Sequence, residues 1–577
     1  MAVLALESAP GAAAQDIDSL MATMSTRRKV AQLFMPDVYA FEDKGDDAKY
    51  LKWVDEGIGG VIIMDGSLLP GMERLNMLQS RAEIPLLVSI DGEWGMSMRF
   101  AEFPLWPRQM QLGALRNEDL VYRMGRAVGR EMKLIHIGVN FAPVADINVE
   151  PANPVINTRS FGEDREKVAR YAWAYAKGMQ DEGVSACVKH FPGHGDTRTD
   201  SHKGLPVLPY GRGRLDSLEL YPFRYAIDRG VDFVMMGHLS VPALDADGTP
   251  TSISPKVIGG LLRDELGFKG MVITDALDME GVRMRFGGDG PQAALAACKA
   301  GADILLMPKD LKGSIDLICG AIARGEISLS SIDSRCRRIL ELKKHQNMFT
   351  DEFRSGVNLE GLAAAADNAG SRELIAEISR RSLVLVHNRR HALPLNPASR
   401  AVKRGKVAYL ALGASGTTLA DSLKALAGLD CYELHKDFSP EELEEMRMRL
   451  SRYSTVLLGF HQTDKSPGKD FGIRPDIYDS IGRWAGRQKL VGVYFGNPYA
   501  LDRMPWYKDF RAFVIAWDDN PSNCAAAARA LCGLTPFEGV LPVSAGGHSA
   551  GFAVKSPQNH ARVLLNILRN QILCIFL

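Results

Sequence analysis

Eight short apolar, β-rich runs punctuate the first part of the chain, with helix-like stretches between them: Val30–Met35, Gly60–Met64, Leu86–Ile90, Val139–Val144, Ser185–Val188, Phe233–Met236, Met271–Ile273 and Ile304–Met307. Strand-like and helical segments in strict alternation predict βα units and a parallel sheet. Eight such units over about 340 residues match a (β/α)8 barrel of the triosephosphate isomerase type with insertions. One intervening helix is legible in detail, because Leu120, Met124, Val128 and Met132 fall at four-residue steps behind a capping start at Asn117 and Asp119. The helix-rich stretch Ser330–Met348 would close the barrel.

A chain of 577 residues is too long for one ordinary core, so a second domain is expected. Residues 351–372 are alanine-rich with Gly361 and Gly370 and read as a connecting segment. Beyond them strand-like runs return at Leu383–Val386, Val407–Leu412, Val456–Phe460, Val491–Phe495 and Phe513–Trp517, with helices such as Pro440–Leu450 between, which predicts an open α/β sandwich. The expected division is a tail at 1–20, the α/β barrel at 21–350, the linker at 351–372, the sandwich at 373–548 and a C-terminal tail at 549–577. In the sandwich, Gly413, Ser415 and Gly416 form a glycine-bearing loop after a strand, but without a lysine or a full dinucleotide fingerprint no phosphate site is expected there.

Charge narrows the partners. Lysine plus arginine and aspartate plus glutamate number 69 each, so nothing draws the chain toward nucleic acid or an acidic membrane surface, and a small neutral substrate fits better than a polyanion. The eight cysteines are scattered without a C-x-x-C pair and read as buried free thiols rather than disulfides or a zinc site. Met1 to Gln15 carries a short apolar patch and an Ala-Ala-Ala-Gln stretch resembling the end of a signal peptide, without a basic start or a full apolar core. Asn559–Leu577 is apolar but broken by Arg562 and Arg569, which suits a packed terminal helix better than a membrane span. The expected location is the periplasm or cell envelope, with the cytoplasm as the alternative that the free thiols favour. A monomer is expected.

The residues just past these eight runs carry the chemistry. Asp91 ends the third, Asp146 and Asn148 follow the fourth, Lys189 and His190 end the fifth, His238 the sixth and Asp275 the seventh. In a parallel barrel these strand ends converge on one mouth, so residues distant in sequence would face one another. The densest stretch is Lys189-His190-Phe191-Pro192-Gly193-His194-Gly195-Asp196-Thr197, followed by Asp200-Ser201-His202, a loop because Pro192, Gly193 and Gly195 interrupt it. Its histidines and aspartates would suit zinc by ligand type, but the i, i+4 spacing of His190 and His194 shares a face only in a helix, which this composition opposes. Metal-free acid–base work fits better. Asp200 and His202 flank one residue and point the same way in extended chain, so the carboxylate can fix the imidazole tautomer and raise its pKa. Asp275, on a separate strand, could then serve as a nucleophile.

This loop resembles the signature of glycoside hydrolase family 3, in its β-N-acetylglucosaminidase branch. Three more segments agree in order and spacing: Ser89-Ile90-Asp91-Gly92-Glu93, Asn153-Pro154-Val155-Ile156-Asn157-Thr158-Arg159-Ser160-Phe161-Gly162, and Ile273-Thr274-Asp275-Ala276-Leu277-Asp278-Met279. The resemblance covers the whole first domain, and Phe537-Glu538-Gly539-Val540-Leu541-Pro542-Val543-Ser544 resembles the end of the family's second domain. It implies Asp275 as the nucleophile of a covalent glycosyl-enzyme, His202 as general acid/base held by Asp200, and Asp91, Arg159, Lys189 and His190 as grips on the terminal sugar. Retaining hydrolysis wants nucleophile and proton donor about 5–5.5 Å apart. The implied enzyme is a retaining exo-β-N-acetylglucosaminidase acting on peptidoglycan fragments or glycoconjugates, with no metal and no cofactor. Alternatives are a β-glucosidase or β-xylosidase of the same family, although Ala276 stands where those often carry an aromatic, or a phosphorylase, since an imidazole would not repel an attacking phosphate. A non-catalytic sugar-binding protein would be expected to have lost Asp275 or His202.

Two departures from the family pattern touch the sugar wall: Trp94 precedes Gly95 where Gly-Gly is common, and the arginine expected close behind is displaced to Arg99. Glu93 reads equally as a hydrogen-bond partner behind the site or a solvated acid, His194 and Asp196 as loop-shaping residues, and His238 as a satisfied buried histidine.

Overall fold

The structure, a computed structural model, describes residues 16–555 except 42, 201–203, 398 and 473. Its first half is a closed barrel of eight parallel strands. Strand β1 is split at Pro36 into Phe34–Met35 and Asp37–Ala40, and is followed by β2 Gly60–Gly66, β3 Leu87–Ile90, β4 Val139–Asn140, β5 Ser185–Phe191, β6 Phe233–Met236, β7 Met271–Thr274 and β8 Leu305–Leu306. Neighbours pair in chain order from β1 to β7. A parallel bridge joins Ile273 to Ile304, and β8 pairs with β1 through Phe34↔Leu305 and Met35↔Leu306, which closes the ring.

All eight expected runs lie on these strands, with two informative shifts. Val30 belongs to the helix Thr26–Ala31, so β1 starts later than its apolar run. The ladder of β4 is short because Pro143 has no N–H to give; pairing resumes only as the bridge Val144↔Lys189, while the Gln109 side chain bonds both the N–H and the carbonyl of Val144 at 2.9 and 2.8 Å. The helix anticipated from the four-residue stripe spans Asp119–Leu134 and buries Leu120, Met124, Val128 and Met132. Its N-cap position is Glu118, without a side-chain cap bond, so neither Asn117 nor Asp119 caps it. The helix Leu329–His345 closes the barrel against the N-terminal segment, where the buried Lys343 ammonium donates to Gln32 at 2.8 Å.

The second unit is a six-stranded sheet of β9 Val384–Asn388, β10 Val407–Leu412, β11 Asp430–Leu434, β12 Thr455–Phe460, β13 Lys489–Tyr494 and β14 Ala512–Ile515. The spatial order is β9-β14-β13-β12-β10-β11, parallel throughout except for the antiparallel edge pair β9–β14. Alternate residues feed two apolar layers: Ala408, Leu410, Val456 and Leu458 on one face, Val407, Tyr409, Ala411 and Leu457 on the other, as an α/β sandwich requires. Strand β11, Asp-Cys-Tyr-Glu-Leu, is the one the apolar pattern omits, because an edge strand buried at a single residue has no apolar run.

The helix Ala369–Ser382 begins inside the expected linker and ties the units together. Ser371 Oγ donates to the buried Glu131 carboxyl at 2.7 Å, which also accepts from Trp106 Nε1 at 3.0 Å. Burial lifts Glu131 to about 7 despite those two donors. The short helix Gln109–Gly113 at the barrel mouth sends Met110 into the core of the second unit, and Gln111 Nε2 donates to Asn523 Oδ1 at 2.8 Å. The second sheet is therefore docked beside the mouth.

The seven described cysteines are all free, and Cys574 lies outside the described residues. So do Met1–Gln15 and the tail Asn559–Leu577. No helix among the described residues is long and apolar enough to cross a membrane.

Candidate active site

Parallel strands deliver their C-terminal residues to one end, and in this barrel those residues meet. The Lys189 ammonium, at the inner end of β5, lies 2.7 Å from Asp91 Oδ1 and 2.9 Å from Glu93 Oε1. Arg159, on the short turn Asn157–Arg159, donates to the other side of Glu93, Nη2 to Oε1 at 2.6 Å and Nε to Oε2 at 2.9 Å. Two carboxylates and two cations thus form one neutral, interlocked wall. Glu93 is its buried centre, 2% exposed. Burial alone would raise its pKa, but Arg159 and Lys189 hold it well below the usual carboxylate range. The neighbouring carboxylates outweigh burial for the two cations, Asp91 and Glu93 for Lys189 and Glu93, Asp146 and Asp91 for Arg159, whose pKa values are raised, so all three stay charged at neutral pH. Arg99 reaches the wall too, with Nη2 3.4 Å from Asp91 Oδ2 and Nη1 2.7 Å from Asp65.

His190 is held by Asp146, a strand-end residue to which the sequence alone assigns no role. Asp146 Oδ2 lies 2.7 Å from His190 Nδ1, and Asp146 Oδ1 accepts the His194 N–H at 2.7 Å. Arg159 Nη2 lies 3.4 Å from His190 Nε2, so both ring nitrogens of His190 have a neighbour at the site.

Asp275 leaves β7 at the opposite side of the mouth and is half-buried. Its Oδ1 accepts the Ala276 N–H at 2.9 Å, and among the described residues no backbone donor is bonded to Oδ2. Burial pushes its pKa up, but His238, His190, the Ala276 N–H and Lys189 together lower it below the ordinary value, so it is an anion at neutral pH. His238 is fully buried and satisfied at both ring nitrogens, Nδ1 with Ser252 Oγ at 2.7 Å and Nε2 with the Ala276 carbonyl at 2.9 Å. It therefore fixes the peptide that holds Asp275.

The loop after β5 is rooted from both sides. Thr197 Oγ1 lies 2.7 Å from His194 Nδ1, Asn153 Nδ2 donates to the His194 carbonyl at 2.9 Å, Asp196 pairs with Arg214 at 2.9 Å and Arg198 with Glu150 at 2.6 Å. Burial and the neighbouring His190 push His194 down to about 4, so it is neutral and serves the loop's shape. Asp200 is half-buried where this framework ends. Ser201 and His202 lie outside the described residues.

Beside this ion-paired wall a cavity of about 250 Å³ lies between the two units, bounded by Trp94, Trp106 and Arg108 of the barrel and Lys465, Phe495 and Asp518 of the second sheet's loops. The Arg108 guanidinium sits 3.7 Å over the Trp94 ring, and Gly95 has φ +72°, where a Cβ would meet the Trp106 ring at 2.2 Å. The Trp94-Gly95 departure from the family pattern thus builds one side of this cavity. Among the described residues one trio, His461, Asp519 and Cys524, brings metal-type ligand atoms within 4.8 Å. Its imidazole is already engaged, Nδ1 with Asp519 at 2.9 Å and Nε2 with the Tyr409 hydroxyl at 2.5 Å, and burial pushes the Cys524 thiol up rather than toward thiolate.

The structure brings together Asp91, Arg159, Lys189, His190 and Asp275, and adds Glu93, Asp146 and Arg99. Asp146 and Glu93 carry a sequence signal, a carboxylate just past a strand end, but their partners come from other strands and only the fold reveals them.

The chain is similar to several known proteins. The model of the glycosyl hydrolase family 3 N terminal domain matches residues 25–342. A beta-N-acetylglucosaminidase/beta-glucosidase of Cellulomonas fimi is 30% identical over 556 residues, covering 92% of this chain and 95% of that protein. Beta-hexosaminidase A of Pseudoalteromonas piscicida is 32% identical over 335 residues, 54% of this chain, and the chain spans only 55% of that relative's length. A glycoside hydrolase family 3 beta-N-acetylglucosaminidase from Paenibacillus sp. str. FPU-7 superposes with a TM-score of 0.76 at 32% identity, covering 90% of this chain and 99% of that one.

Proposed function

We propose, since the chain belongs to glycoside hydrolase family 3, that this glycoside hydrolase is a retaining, exo-acting β-N-acetylglucosaminidase that releases terminal β-linked N-acetylglucosamine from peptidoglycan fragments or other glycoconjugates. The observation that carries the reading is the anionic Asp275 facing the Asp91–Lys189–Glu93–Arg159 wall across one barrel mouth. In the proposed reaction the wall and His190 grip the hydroxyls of the terminal sugar. Asp275 attacks the anomeric carbon through Oδ2, the oxygen without a backbone donor among the described residues, while His202, oriented by Asp200, protonates the departing oxygen. His202 then takes a proton from water, which displaces Asp275 and restores the free enzyme.

The name of the Cellulomonas fimi relative favours a second reading, β-glucosidase activity in the same site. Initial rates on aryl N-acetylglucosaminide, glucoside and xyloside, with and without phosphate, separate the possibilities. N-acetylglucosaminide should lead, with free sugar as product; dominance of glucoside, or sugar 1-phosphate formed in phosphate, would overturn the substrate or the acceptor respectively. We propose further that the chain acts as a monomer in the periplasm or cell envelope, and that 21–350 is the catalytic unit and 373–548 a second unit walling the cleft.

The role of His202 has its own test. His202→Ala should lower kcat/KM by about 10³-fold on an unactivated disaccharide but by less than about tenfold on an aryl substrate whose leaving group needs no proton. Equal losses on both would remove His202 as the acid.

A further inference from the structure

We propose that the second sheet carries a remote saccharide subsite, in which the cavity at its topological switch point receives the part of a glycan that lies beyond the bond being cut. The inference rests on the glycosidase reading above and extends it to the aglycone. Strand β10 lies between β11 and β12, and the connection leaving β10 runs outward to β11 while that leaving β12 runs the other way to β13, so a crevice opens past the carboxyl ends of β10 and β12, the place where open parallel sheets bind ligands. A cavity of about 350 Å³ occupies that crevice, bounded by Leu412 and Gly413 at the end of β10 and by Phe460 and His461 at the end of β12. Its volume falls within the range of small-ligand sites.

The lining suits a sugar better than a polyphosphate. Phe438, Phe460 and Trp506, largely buried, form its apolar floor, and Lys436, Asp437 and Gln462 stand exposed at the rim with donors and acceptors together. The further cations are already matched: Lys469 lies 3.1 Å from Asp464, and Arg474 is engaged by Asp476 and the Phe438 carbonyl. Little net positive charge is left for a polyanion, whereas a pyranose offers apolar C–H faces to rings and hydroxyls to mixed polar groups.

Position joins this cavity to the active site. Thr463 lines both it and the interdomain cavity, and the His461–Asp519 pair, 2.9 Å apart, stands between the two. The interdomain cavity in turn starts at Trp94, next in the chain to Glu93 of the sugar wall. A β-linked oligosaccharide held at its terminal sugar by that wall would run past Trp94 and Arg108, over Thr463, and into the switch-point crevice.

The test compares the whole chain with a Lys436→Ala/Asp437→Ala double variant on an aryl N-acetylglucosaminide and on β-linked N-acetylglucosamine oligosaccharides of two to five units. In the wild type KM should fall by about tenfold as the chain lengthens from two units to four or five, and the double variant should lose that gain while its aryl kcat/KM stays within about twofold. Wild-type KM independent of length, or equal losses on aryl and long substrates, overturns the subsite. Titrating Asp275→Asn protein with the pentasaccharide gives a readout free of turnover: binding should weaken by about tenfold when Lys436 and Asp437 are also replaced, and unchanged binding overturns the proposal. Failure of the parent reading shows separately, as a wild type without N-acetylglucosaminidase activity; the same length series is then run on β-linked glucose oligosaccharides, with the same two outcomes.

Discussion

Asp275→Asn should lower turnover on every β-N-acetylglucosaminide by about 10⁴-fold or more while leaving the fold intact, because an amide oxygen cannot displace the aglycone as a carboxylate does. The substitution isolates chemistry from structure. Asparagine has the same shape, its Oδ1 can accept the Ala276 N–H that Asp275 accepts at 2.9 Å, and the buried His238 keeps its bonds to Ser252 and the Ala276 carbonyl. Thermal unfolding should therefore sit within a few degrees of the wild type. Turnover within tenfold of the wild type would remove Asp275 as the nucleophile.

Glu93→Ala should produce a large loss of stability. It deletes the carboxylate between Arg159 and Lys189 and leaves two largely buried cations facing each other, a loss of about 3–5 kcal/mol for breaking a buried pair from one side. Activity on the aryl substrate should fall with it, because Arg159 and Lys189 lose the anchor that holds them in the positions from which we propose they grip the sugar. The pH dependence has a definite sign. A carboxyl whose folded pKa is depressed contributes stability that is fully present above its unfolded pKa, about 4.3, and that is lost as pH falls toward the folded value. The stability gap between wild type and Glu93→Ala should therefore be flat from pH 6 to 8 and close in strong acid, as measured by urea denaturation across that range. A gap that widens on acidification would mean that Glu93 is not the ionised centre of the wall.

Much of this site is legible in the sequence, and the physical reason is the barrel. Parallel strands place every C-terminal end at one mouth, so Asp91, Lys189, His190 and Asp275 group together from their positions after apolar runs alone. Partnerships are harder to read. Glu93 looks equally like a solvated acid because Arg159 is 66 positions away, and Asp146 suggests no role because its partner His190 is 44 positions on. Arg99 reads as a displaced arginine, yet the turn at Met96–Met98 returns it to Asp91. In the second unit the apolar runs reveal five strands and conceal β11, whose edge position asks for no apolar face. The strand order, and with it the crevice between β10 and β12, has no signature along the chain, because it depends on which side of the sheet each helix crosses.

The most direct measurement is the identity of the covalent intermediate. A fluorinated N-acetylglucosaminide that forms the glycosyl-enzyme quickly and releases it slowly should leave one sugar on the peptide containing Asp275, located by mass spectrometry after proteolysis. A label on any other residue, or its absence while the same substrate is turned over with inversion at the anomeric carbon, would contradict the assignment.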